Sequence, residues 1–446
     1  MSSNTHHKPR HRGLEILQEF SIPLISGVIL AVIWANLDPH GYHHAIHWSP
    51  FGAESHFNFH FLMNDLFMVL FFGLAAKEIA ESVLPGGALN PIKKAVNPLL
   101  GTLGGVLGPI AVYFAWVSIT GDASISKGWG IPTATDIALA WLVARLVFGK
   151  GHPAVSFLLL LAVADDAIGL GIIAVFYPDP NHPVAPQYIA LVGLAMGAAH
   201  LLRKKGVLSY WPYLLGPGVV SWLGLYLAHL HPALALVPIV PFMPHAARDE
   251  GLFAENDDAD HYHDTMNLFE HELKLFVDIG LLGFGLANAG VEFSSMGNAT
   301  MAVLMGLVIG KTVGIFSFSM IGQVAGFPLP QGMNWRSLLT AGFVGALGLT
   351  VALFVSGVAF TDPTLQGSAK MGALLSAFVA PLAFLVGKLL RVRDGVDLGA
   401  SETEVIELSD TELTPAYGST EGLHEESHEE ISDEDHSDVE YEERVQ

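Results

Sequence analysis

Of the chain's 446 residues, 51% are hydrophobic and only 14% are charged, and the mean hydropathy is +0.46. That balance excludes an ordinary soluble globular domain and makes lipid the solvent for most of the chain. The formal charge of -22 is mainly a tail property: residues 394–446 hold 19 carboxylates and one arginine, a net of -18, which leaves about -4 for the rest and no basic surface for a nucleic-acid partner. The absence of cysteine removes disulfides, thiolate metal sites and cysteine nucleophiles from consideration.

Apolar stretches long enough to cross a hydrocarbon core of roughly 30 Å predict twelve spans. In chain order they cover residues 17–36, 59–79, 98–118, 131–148, 153–176, 185–202, 211–229, 231–244, 268–289, 299–322, 338–360 and 368–390. The eighth is short and proline-rich, and the first is too long for a removable signal peptide. The expected architecture is therefore an all-α polytopic membrane protein spanning residues 1–391, followed by an acidic disordered tail at 392–446. With the N-terminus placed in the cytoplasm, seventeen lysines and arginines fall inside and only Lys127 and Lys370 outside. This split supports an even number of spans and cytoplasmic termini.

Ionisable side chains at membrane depth cost at least ~2.5–3.5 kcal/mol each, so they line an interior path or pair with one another. Here they are Asp65, Asp136, Asp165, Asp166, Asp278 and Lys311. Asp165 and Asp166 stand out, because two or more turns of apolar helix flank them on each side. Two neighbouring carboxylates at that depth cannot both be ionised cheaply. A bound monovalent cation offsets one charge that a proton would otherwise neutralise, so competition between Na+ and H+ follows from the pair itself. The bland reading is that they are helix-bridging hydrogen-bonding groups or part of a fixed ion pair.

The fourth span is interrupted by Pro132, Thr133, Thr135 and Asp136, and the eleventh has Gly342, Gly345, Gly348 and Thr350 at its middle. Broken helices at membrane depth are tolerated where they line a cavity, and their ends carry partial charges of about half a unit. Asp136 and Lys311 are the counter-charges such ends need. Residues 98–176 and 299–390 then form two repeats, each with its interrupted helix second of three.

The run Ile131-Pro-Thr-Ala-Thr-Asp-Ile-Ala138, the Asp165-Asp166 pair with Gly169, the run Leu286-Ala-Asn-Ala-Gly-Val291, Gly310-Lys311 with Gly314, and Asn64-Asp65 with Phe71-Phe72 and Glu78 together resemble the NhaA-type sodium/proton antiporters over about residues 15–391. The resemblance implies twelve helices with inverted 3+3 repeats, spans 4 and 11 crossing at the midplane, and electrogenic exchange of Na+ or Li+ for H+ by alternating access in a cell inner membrane. It implies no cofactor and no enzymatic role. Asp165 and Asp166 match the cation and proton site, with Asp166 the direct Na+ ligand; Thr135 and Asp136 match the broken helix, and Lys311 the lysine that pairs with Asp165 when Na+ is absent. A short outward hairpin within 47–59, with Pro50, Gly52 and Asn58 as turn residues, would join a homodimer.

Two positions depart from the family pattern: the ninth span lacks the expected prolines and adds Asp278, and the second ends Lys77-Glu78-Ile-Ala-Glu81 in place of a basic pair after the glutamate. Both belong to the region where the family's pH response is placed, with Glu78, Glu270 and His271 as candidate sensors. The other histidines, clustered at 40–60 and at His261 and His263, read as solvated loop residues, and no histidine spacing is specific for zinc. Rival readings are a sodium-driven symporter, a cation channel and an intramembrane aspartyl protease. The last needs two facing carboxylates, whereas successive helical residues point about 100° apart, so Asp136 would have to supply the second acid.

Overall fold

In the computed structural model, residues 21–392 are described apart from 53–56, 86, 88, 91, 150, 180–181 and 246–263. The expectations for the acidic tail, the start of the first span and the loop carrying His261 and His263 fall outside the described residues. All regular elements among the described residues are helical.

The chain begins with α1 (Ile22–Leu37) and α2 (Pro39–His47) and continues into α3 (Phe59–Ser82). α4 (Ile92–Thr120) leads to a 3-10 segment, Ala123–Thr133, and then to α5 (Ile137–Phe148) and α6 (Pro153–Phe176). α7 (Ile189–Lys204), α8 (Val219–Leu227) and α9 (Thr265–Asn288) follow. The chain closes with α10 (Asn298–Val324), α11 (Trp335–Val344), α12 (Thr350–Ala359) and α13 (Pro363–Leu389). Among the described residues α3, α4, α6, α10 and α13 are each long and apolar enough to cross a membrane. The segment Ala123–Thr133 and α5, bent by 59° at their junction, together make a sixth such element.

Three stretches differ from the sequence reading. Residues 231–244 contain only the 3-10 turns Pro232–Leu234 and Val240–Phe242. Pro232, Pro238, Pro241 and Pro244 remove four backbone donors from a short segment and forbid a continuous helix. The segment is nevertheless buried at Leu234, Leu236, Ile239 and Val240, packed into protein where irregular backbone is tolerated. Conversely, α2 occupies a stretch where no element was expected: Asp38 caps it by accepting from the Gly41 amide at 2.9 Å, and Pro39 fills its first position. In the hairpin expected at 47–59, Asn58 is no turn residue but the N-cap of α3, accepting from the Phe61 amide at 2.8 Å.

The tightest seam runs between α4 and α10. A Cβ at Gly104 would strike the Gly314 carbonyl, and one at Gly108 the Gly310 carbonyl. Each helix thus presents two glycines four residues apart, the small-residue pattern that lets backbones meet in lipid, where no hydrophobic effect drives helices together. Outward faces are apolar instead: Ile29 and Ile33 on α1, Val313 and Ile321 on α10, and Leu385 and Leu389 on α13 are exposed.

Asn64 and Asn288, from two of the quoted motifs, join α3 to α9 through a 3.0 Å hydrogen bond. The Tyr42 hydroxyl donates to the Leu286 carbonyl at 2.7 Å, and the ring lies where a side chain at Gly290 would project. The run at 286–291 is therefore a packing corner between α1, α2 and α9.

Gly108→Val should lower stability by about 1–3 kcal/mol through overpacking of the α4–α10 seam. Gly197→Ala, at a helical position facing open space, should be neutral or stabilising. Thermal unfolding of the two purified variants in detergent checks the contrast; equal midpoints would mean that the seam has slack.

Candidate ion-binding site

The two interruptions meet. Residues 134–136, between Ala123–Thr133 and α5, lie against residues 345–349, between α11 and α12. The Asp136 amide donates to the Leu347 carbonyl at 2.7 Å, and the Ala134 carbonyl lies 3.0 Å from where a Cβ on Gly348 would stand. Gly348 is glycine because the other break passes there.

Asp136 is the N-cap of α5, where its Oδ1 accepts from the Leu139 amide at 3.1 Å. Its Oδ2 accepts from the Thr350 amide, the first of α12, at 3.2 Å. One buried carboxylate therefore meets the positive ends of two half-helices and satisfies backbone donors on both. With its oxygens so engaged, Asp136 is not available as the second acid of an aspartyl protease dyad.

The opposite polarity sits at the end of α11. The Thr135 hydroxyl lies 3.1 Å from the Gly345 carbonyl and 2.8 Å from Asp165 Oδ2, so its single proton has two acceptors. Lys311 Nζ donates to the Thr135 oxygen at 2.5 Å and to Asp165 Oδ2 at 2.6 Å. Lys311 thus reaches the carbonyl end of α11 through Thr135. Both members of the Lys311–Asp165 pair are fully buried, with side-chain exposures of 0%. Lys311 ends a π-helical turn, Gly306–Lys311, of the kind often found at functional positions.

Asp166 points elsewhere, as neighbours on a helix must. It lines a small cavity with Phe72, Ala134, Gly169 and Val351, and is also buried. Asp165 Oδ1 and Asp166 Oδ1 are buried and have no hydrogen-bond partner among the described residues. Two adjacent carboxylates with unsatisfied oxygens beside a cavity can hold a bare cation or protons, the groups able to compensate them.

The candidate sensors divide. Glu270 pairs with Lys77 at 2.5 Å and with Lys274 at 3.6 Å, and Lys77 also pairs with Glu81 at 2.6 Å, which ties α3 to α9. Glu78 is half-buried beside Lys77, and His271 is exposed. The Tyr210 hydroxyl donates to Glu272. Lys77 and Lys370, both counted as loop cations, are buried inside helices, at 2% and 7% exposure. A count of loop charges cannot separate a lysine in the last turns of a helix from one beyond it.

A bundle of apolar helices, two of its interruptions in contact, and a fully buried acid–lysine pair beside a second buried acid describe a helical membrane transporter. The chain belongs to the Na+/H+ antiporter 1 family, whose model matches residues 14–387. It is 59% identical over 390 residues to the Na(+)/H(+) antiporter NhaA of Desulfitobacterium hafniense (strain DSM 10664 / DCB-2), covering 87% of this chain and 99% of that protein. It is 60% identical over 382 residues to the Na(+)/H(+) antiporter NhaA of Geobacter sulfurreducens, covering 86% and 99%. A solved structure of the sodium proton antiporter MjNhaP1 from Methanocaldococcus jannaschii at pH 8 aligns over 84% of this chain and 94% of its own, with a TM-score of 0.48 at 12% identity.

Lys311→Met should destabilise the protein by about 3–5 kcal/mol, because it strands Asp165 as a buried charge without a partner. Adding Asp165→Asn to that variant should recover much of the loss, since the stranded charge is then gone. Unfolding of the single and double variants in detergent closes the cycle, and strictly additive losses would show the two residues to be energetically independent.

Proposed function

We propose that this protein is a sodium/proton antiporter whose transported ions compete for Asp165 and Asp166. The observation that carries this reading is the zero-exposure Lys311–Asp165 pair beside the unpartnered Asp166 oxygen at the junction of two broken helices. A carboxylate bonded to a buried ammonium is a resting state that a cation can displace. Na+ arriving at Asp166 and Asp165 takes over the role of Lys311, whose proton then becomes labile; a returning proton restores the pair. Family membership and the names of the curated relatives support Na+ and H+ as the exchanged ions.

The finer reading rests on the family resemblance and on the distribution of loop charges. Exchange proceeds by alternating access at the crossing of spans 4 and 11, in a twelve-span fold of two inverted repeats, and is electrogenic, with Li+ as a second cargo. The protein sits in a cell inner membrane with both termini cytoplasmic and pairs with a second copy through the segment at 47–59. Glu78 and the Lys77–Glu81–Glu270 cluster set its pH response. In this reading the eighth span, residues 231–244, is made of buried 3-10 turns rather than of a continuous helix.

Asp165→Asn and Asp166→Asn should each abolish Na+-driven pH change in proteoliposomes while the variants still insert and purify, because asparagine keeps the shape but holds neither charge nor proton. Full exchange by either variant would refute the site.

If one set of carboxylates serves both ions, apparent Na+ affinity weakens about tenfold per pH unit for each proton displaced, once pH lies below the site pKa. Half-maximal Na+ concentrations measured across the acidic range test this. A flat profile would place the two ions at separate sites.

A further inference from the structure

We propose that Asp179, His182 and His229 form a binding site for a divalent ion of the zinc class, at the end of α6 remote from its N-cap His152. The three residues come from two separate stretches, two just beyond α6 and one two residues after α8, and their ligand atoms all lie within 4.8 Å of one another. Nothing in their sequence spacing announces them; the fold alone brings them together.

The backbone already holds the two stretches in register. The Asp179 amide donates to the His229 carbonyl at 3.0 Å, and the Ala185 amide to the Ala228 carbonyl at 3.1 Å. An ion therefore orders little additional chain when it binds, which is the usual cost of assembling a site from loops. The imidazoles of His182 and His229 stack face to face, with centroids 4.8 Å apart and planes 15° from parallel, and each has a ring nitrogen in the cluster of ligand atoms. His182 Nδ1 lies 2.8 Å from Asp179 Oδ2, with one proton between them. An ion that replaces this proton ligates both atoms once they separate to about 3.3 Å, the spacing set by tetrahedral bonds of about 2.0–2.1 Å.

The donor set selects the ion. Two imidazole nitrogens and one carboxylate suit Zn2+ and its borderline neighbours, whereas Mg2+ and Ca2+ take all-oxygen shells. Three protein ligands leave a position for water. With His182 exposed and the other two half-buried, the site is open and exchanges with bulk solution. It is separate from Asp165 and Asp166, which lie about three helical turns back from the end of α6.

With 21 histidines in the chain, the test must isolate this group. The full-length protein, freed of any affinity tag and stripped by chelator, is titrated in detergent with Co2+, whose visible bands report coordination by nitrogen and oxygen. The expected result is one saturable equivalent, displaced by Zn2+ but not by Mg2+, with Zn2+ raising the melting midpoint. His182→Ala and His229→Asn should each weaken Co2+ binding at least tenfold and retain Na+-driven exchange. Asparagine is chosen because residue 229 has a φ of 59°, which asparagine tolerates. Asp179→Asn gives the same reading should either histidine variant fail to fold. Wild-type Co2+ affinity and spectrum in folded variants, or no saturable equivalent in the wild type, would overturn the assignment.

Discussion

The contact between Lys311 and Asp165 organises the site, because neither charge tolerates its position without the other. Both are fully buried, and the cost of holding one ion in such surroundings without a partner is several kcal/mol. The surrounding structure follows from that need. Lys311 must approach α6, so α10 is drawn against α4 along a glycine seam close enough for backbones to touch. Thr135 must bridge the lysine to the end of α11, so the chain is extended at 134–136. That extension in turn frees the amides that Asp136 and Leu347 satisfy.

The result is a centre whose polar groups are mostly compensated in pairs. Positive helix ends meet Asp136, the carbonyl end of α11 meets Thr135 and through it Lys311, and Lys311 meets Asp165. Asp166 is the member left over. An arrangement balanced except for one buried acid is the electrostatic condition for binding a small cation reversibly, since complete compensation would leave no demand for the ion and several loose charges would not pack.

Much of this was legible in the sequence because lipid makes charge conspicuous. Asp136, Asp165, Asp166 and Lys311 were singled out by depth alone, and the structure gathers all four around the two breaks, with Thr135 and Thr350 where the interruptions place them. The pattern failed where depth was ambiguous. Lys77 and Lys370 lie near helix ends, and hydropathy assigns such residues to water although tertiary packing buries them. One partner of Glu270, Lys77, comes from α3, 193 positions away, a pairing that no local spacing in the sequence announces. The helix at 39–47 is too polar to register as apolar periodicity, although Asp38-Pro39 carried its capping signal. The paired glycines of α4 and α10 were readable as a four-residue spacing, but only the structure shows that the two pairs face each other.

Asp136 closes two helices with one side chain, and the second of them begins 214 residues further along the chain. At a synthesis rate of roughly 5–20 residues per second, Asp136 exists for about 10–40 s before Thr350 does. During that interval α5 has its cap, but Asp136 has an idle oxygen, and Asp165 and Thr135 lack the lysine that compensates them. The early half alone bears the cost of these uncompensated groups at membrane depth. The order of synthesis therefore leaves the interrupted segment uncompensated until the late half arrives, and the site is completed only when both halves are present.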